Sequence, residues 1–262
     1  CIPVLVERNK EDGFALDLQA LESAVTEKTK AIVINSPDNP CGGVLSNEEV
    51  KALADLIIKH DLIAISDEIY EEFIYEGEAP ISLAAARPEM KERTVLVNGV
   101  SKTYAMTGWR LGWIAAPKWI AAACNKLQGQ STSGPSSITQ KAAEAAYVGD
   151  QTCVETMRKA FERRRDLVYK LTSEIDGFKL EKPDGAFYVF PDCSYYFGKS
   201  FNGKNIATSG DLAMYLLEEG HVACVGGQAF GVPDCIRFSY ATADDLLIEA
   251  FKRVKEALAK LK

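Results

Sequence analysis

Leu62-Ile-Ala-Ile-Ser-Asp-Glu-Ile-Tyr70 opens on a short apolar run that stops at an aspartate and, three residues on, meets a tyrosine. Such a run, Leu62–Ser66, reads as a buried strand. Open α/β sheets present their chemistry beyond the carboxyl ends of their strands, which is where Asp67 and Tyr70 stand. Outward from it, Lys30–Ser36, Arg93–Asn98 and Leu111–Ala116 read as further strands. Ser46-Asn-Glu-Glu49 has capping-box spacing, and Val50, Leu53, Ala54, Ile57 and Ile58 recur on one helical face. Strands alternating with helices predict a mostly parallel sheet with covered faces.

Helical patterns follow over about 118–128 and 135–149, with Pro135 suited to a first turn. A longer amphipathic stretch over about 154–175 carries Arg163-Arg-Arg165, which reads as a solvated face because acidic residues flank it. After Asp176-Gly177 the texture changes. Phe178–Glu181 and Ala186–Phe190 read as strands, 209–220 as a helix, 222–226 and 236–241 as strands, and a final helix runs to Leu261. The loop Gly198–Lys204 is expected to be mobile. The fold class is therefore α/β: a three-layer large domain with a mostly parallel sheet, and a smaller α+β C-terminal domain. The division is set at residues 1–152 and 153–262.

The chain has 262 residues and a net charge of −7, which argues against nucleic acid or an anionic membrane as a partner. Seven scattered cysteines without a Cys-x-x-Cys pair fit reduced thiols in a cytoplasmic protein. His60 and His221 are the only histidines, so a zinc site lacks ligands and spacing. No apolar run approaches the ~20 residues of a membrane span. Trp109, Trp113 and Trp119 read as core or interface residues.

Downstream lies Asn98-Gly-Val-Ser-Lys-Thr-Tyr-Ala-Met-Thr-Gly-Trp-Arg110, in which an arginine follows Lys102 by eight residues. An amine and a guanidinium can serve an aldehyde and its phosphate. An aspartate and a tyrosine can serve a pyridine nitrogen and a ring hydroxyl. Pyridoxal 5′-phosphate needs those four services. A lysine in a desolvated site shifts its pKa readily, so its amine can attack an aldehyde and carry a proton. An anion beside the ring nitrogen favours its charged form, the better electron sink.

With Asn35-Ser-Pro-Asp-Asn-Pro-Cys-Gly42 and Ile236-Arg-Phe-Ser-Tyr-Ala241, these blocks give four motifs in order. The chain resembles the class I, fold type I pyridoxal-phosphate-dependent aminotransferases, in the branch that includes bacterial aspartate aminotransferases. The resemblance implies Lys102 as the lysine that reacts with the cofactor, Asp67 on the ring nitrogen, and Tyr70 with Asn39 on the ring oxygen. It implies Arg110 and Ser101 on the phosphate, and Arg237 on the substrate carboxylate. Many relatives have a serine where Gly99 stands. The loop Gly226–Gly231 is expected to line the entrance.

The resemblance further implies an N-terminal part ahead of Cys1, a homodimer, and transfer of an amino group between an L-amino acid, aspartate favoured, and a 2-oxo acid. The alternatives are a carbon–sulfur β-lyase on the same scaffold, or an inactive fragment. A transcription regulator would need a helix-turn-helix module, and none is visible.

Overall fold

Three strands, β1 (Ala31–Asn35), β2 (Ile63–Asp67) and β3 (Thr94–Gly99), run parallel in that spatial order, and β4 (Gly112–Ala115) closes the edge antiparallel to β3. This is a computed structural model describing residues 1–262. The chain divides into two compact units, Cys1–Asp38 with Gly43–Arg158, and Asn39–Gly42 with Lys159–Lys262.

In the first unit, α1 (Leu18–Ala24) precedes β1, and α2 (Asn47–Lys59) connects β1 to β2. Ser46 caps α2 as expected: its hydroxyl accepts from the Glu49 N–H at 3.2 Å, and the Glu49 carboxylate accepts from the Ser46 N–H at 2.8 Å. The buried face of α2, Val50, Leu53, Ala54 and Ile57, packs with Ile32 and Ala64 of the sheet and with Met90. Coverage of the other face falls off toward the sheet edge: Ile65 is half-buried and Val95, beside it in register, is buried. Residues alternate between faces along a strand, and on the face away from α2 Val33 is 70% exposed. The β4 residues are exposed as well.

The helices α3 (Lys118–Ser131) and α4 (Ser137–Val148) fall near their expected ranges. Pro135 does not enter the first turn, because Ser136 is the N-cap. Neither is the tryptophan expectation met as core: Trp109, Trp113 and Trp119 are 45%, 38% and 66% exposed.

The helix α5 (Thr152–Ser173) carries the chain into the second unit. Its arginine triplet is a solvated face only in part. Arg165 is 1% exposed, with Nε donating to Asp166 at 3.0 Å, and Arg163 and Arg164 both pair with Asp244 at 2.9 Å. A helix puts consecutive residues about 100° apart, so one member of a triplet turns inward while the others stay near water.

The second unit is built on a three-stranded antiparallel sheet of β5 (Tyr188–Val189), β8 (Val225–Gly226) and β9 (Ile236–Ser239), ordered β5-β9-β8. The run expected as a strand at Phe178–Glu181 makes only an isolated bridge, Lys179 with Asp192. The loop expected to be mobile is a small hairpin, β6 (Ser200–Phe201) and β7 (Lys204–Asn205). Its turn residues Asn202 and Gly203 have φ of +48° and +78°, which suits an Asn-Gly hairpin. The helices α6 (Ser209–Gly220) and α7 (Asp244–Leu258) complete the unit, with the Tyr215 hydroxyl donating to the Ala257 carbonyl at 2.7 Å.

Candidate active site

Asp67 ends β2, and its neighbour across the parallel ladder is Val97 of β3. Five residues after Val97 comes Lys102, so both lie at the carboxyl edge of adjacent strands. The chain leaves β3 through tight turns, with Tyr104 N–H bonded to the Val100 carbonyl and Ala105 N–H to that of Lys102. That path sets the Lys102 Nζ 5.8 Å from the centre of the Tyr70 ring. Tyr70 is 4% exposed, in the turn after β2. Lys102 and Tyr70, expected to serve one cofactor, are therefore neighbours.

Burial alternates along 62–70: Leu62, Ala64, Ser66, Glu68 and Tyr70 are buried, while Ile63, Ile65, Asp67 and Ile69 are half-buried. Asp67 and its neighbour Glu68 thus face different surroundings. Glu68 accepts from the Ser66 and Ser82 hydroxyls at 2.8 and 2.9 Å. Asp67 uses one carboxylate oxygen to accept from the Ile69 N–H at 3.2 Å. Near Glu68, burial pushes the Glu71 carboxyl above its usual range, against a hydrogen bond from the Asn98 amide.

The antiparallel pairing of β3 with β4 ends at Gly99 opposite Gly112. Two residues beyond that pair lie Ser101 on one strand's continuation and Arg110 on the other's. Arg110 is exposed, has φ +53°, and donates from Nη1 to the Thr107 carbonyl at 2.9 Å. The glycine at 99 has a steric cause. A Cβ there would stand 2.8 Å from the Leu111 carbonyl oxygen and 2.9 Å from the Gly112 Cα. A serine does not fit without moving β4.

The second unit contains the other two expected residues. Arg237, in β9, donates from Nη1 to the Asn39 Oδ1 at 2.6 Å. Asn39 belongs to a tetrapeptide tied down at its far end, where the Gly42 carbonyl accepts from the Asp184 and Gly185 N–H groups at 3.1 and 2.8 Å. At Gly42 φ is +77°, and a Cβ would stand 2.5 Å from that of Pro183. Sequence reasoning missed the two rings beside Arg237, those of Tyr188 and Phe230, at 4.4 and 4.8 Å. The signal for Tyr188 was strand parity; for Phe230 it was membership of the Gly226–Gly231 segment expected at the entrance, which folds as the helical turn Gly227–Phe230.

The donor set suits a phosphorylated pyridine aldehyde: an amine beside a phenol, a carboxylate at the neighbouring strand end, and a guanidinium past the strand pair. No group of three His, Cys, Asp or Glu side chains is arranged to hold a metal ion. No helix is long and apolar enough to cross a membrane.

A family model described as "Aminotransferase class I and II" matches residues 1–254. The aspartate aminotransferase of Bacillus subtilis (strain 168) is 45% identical over 258 residues, which are 98% of this chain and 65% of that protein. The crystal structure of the aspartate aminotransferase from Rhizobium meliloti superposes with a TM-score of 0.93 at 40% identity, over 99% of this chain and 66% of that one. The aromatic aminotransferase from Pyrococcus horikoshii OT3 gives a TM-score of 0.88 at 43% identity, over 98% of this chain and 67% of its own. The chain spans slightly less than two thirds of the curated relatives it matches, 65% and 63% for two bacterial aspartate aminotransferases.

Proposed function

Because the chain belongs to the class I and II aminotransferase family, we propose that the protein moves an amino group between an L-amino acid and a 2-oxo acid with pyridoxal 5′-phosphate. Aspartate is the favoured donor, in keeping with the relatives' names. The observation that carries the reading is the Lys102 amine 5.8 Å from the Tyr70 ring, past the end of the strand that pairs with the one ending in Asp67.

Bound at this place, the cofactor supplies an electron sink that stabilises negative charge at the substrate Cα. Asp67 accepts a hydrogen bond from the ring nitrogen and keeps it charged. Tyr70 and Asn39 donate to the ring oxygen. Arg110 grips the phosphate through its fork of donors, and Ser101 adds a hydroxyl. Lys102 would hold the cofactor and, once substrate frees its amine, would carry a proton between the substrate Cα and the cofactor C4′, a role typically worth ~100- to 10,000-fold. Arg237 pairs with the substrate carboxylate and fixes the orientation of the amino acid.

Residues 1–152 form the cofactor-binding domain in this reading and 153–262 the small domain. The working protein is a cytoplasmic homodimer, with exposed Trp109, Trp113 and Trp119 available to an interface.

Addition of pyridoxal phosphate tests the proposal. The purified protein should develop a visible absorption band that Lys102→Ala lacks. Absence of the band from the wild type, or its survival in the variant, overturns the assignment of Lys102. Amino transfer should depend on an added 2-oxo acid. Release of pyruvate and ammonia without an acceptor would establish the lyase instead.

A further inference from the structure

Hydrogen bonding to Asn39 is not all that holds Arg237. Its guanidinium carbon lies over the Tyr188 ring and over the Phe230 ring, 4.4 and 4.8 Å from their centres. Tyr188 is there because of the sheet register. It pairs with Ser239 across β5 and β9. Residues two apart on a strand share a face, so Arg237 is its diagonal neighbour on that face. Ile236 and Phe238 turn to the other face, where they are 0% and 3% exposed.

Phe230 arrives by another route. It ends the single helical turn Gly227–Phe230, and Phe190 backs it edge-on at 5.9 Å. That turn is anchored beside β9: the Gly227 N–H donates to the Cys235 carbonyl at 2.7 Å and to the Ser209 hydroxyl at 3.0 Å. Tyr188 is buried, and Phe230 is half-buried.

A guanidinium is planar and weakly hydrated, and it stacks on aromatic faces while its edge keeps its donors. A ring beneath it attracts the cation and limits its rotamers. We propose that Tyr188 and Phe230 are positioning residues for a carboxylate clamp. They hold the Arg237 plane, Asn39 takes one N–H, and the remaining N–H groups are left for the carboxylate of an amino or 2-oxo acid. The inference rests on the reading of Arg237 as that clamp.

The test uses the whole, cofactor-loaded protein and the variants Phe230→Leu, Tyr188→Leu, Tyr188→Phe and Arg237→Lys. Two readings are taken: KM and kcat for the amino donor, and the Kd of succinate by titration calorimetry. Each leucine variant should raise KM and the succinate Kd about tenfold, with kcat within about twofold. Tyr188→Phe keeps the ring and should keep the wild-type constants. Phe230, half-buried on a surface turn, supplies the decisive variant should Tyr188→Leu fail to fold. If Phe230→Leu leaves both constants unchanged while Arg237→Lys raises them, the positioning role is overturned and the clamp stands. If Arg237→Lys changes neither, the clamp falls and the inference with it.

Discussion

Lys102 hangs from a turn leaving a strand, whereas Arg237 stands within one, paired with Val225. The first unit sets its groups by where parallel strands stop and how the chain turns afterwards. Ala105 and Arg110, both at φ +53°, shape that path. The second unit sets its arginine by side-chain parity on a short antiparallel sheet, with Tyr188 as the diagonal neighbour. Placement by a turn suits a group that must reach and move a proton. Placement in a strand suits a group that must stay still and bind.

The largest expected effect probes the turn. Lys102→Ala should lower kcat at least 100-fold, roughly the lower bound for lost acid–base help. Steady-state turnover with aspartate and 2-oxoglutarate reads this, and near-normal kcat would break the contrast between a moving and a holding group. Next comes the sheet beneath the turn. Leu53 is fully buried where α2 meets that sheet, and Leu53→Ala should cost about 2–5 kcal/mol in denaturant unfolding. A cost below 1 kcal/mol would mean that this packing does not hold the strand ends.

On the second unit's side, Gly42→Ala should destabilise by about 1–3 kcal/mol through strain and overpacking against Pro183. It should also raise KM for the donor, since the same tetrapeptide carries Asn39. A rise in KM without loss of stability would sharpen the role of Asn39 alone.

The smallest effect concerns the helix that ends in the second unit. Arg163 and Arg164 hold the Asp244 carboxyl down from 3.8 to about 2. The folded value lies below the unfolded one, so the pair contributes fully above pH 3.8 and fades as pH falls through about 2. Unfolding of wild type and Asp244→Asn at pH 5 and pH 2 should show their gap narrowing in acid. A constant gap would remove the ion pair from the account.

The parallel strands, the capped helix at Ser46 and the order of site motifs were legible because each is written in local pattern. Apolar runs with polar stops and a Ser-x-x-Glu box need no distant information. The buried side of the arginine triplet was not legible, since helical phase relative to a core depends on what packs there. The hairpin at 200–205 was legible in Asn202-Gly203 and was passed over because its strands are only two residues each.

Residue order alone determined which side chains are available for the chemistry and which strand each follows, because strand, turn and cap preferences act over a few neighbouring residues. Only tertiary structure decided which groups meet. Lys102 reaches Tyr70 across 32 residues of sequence, and Arg237 reaches Asn39 across 198. Such contacts follow from sheet register and burial, which are properties of the whole packed chain.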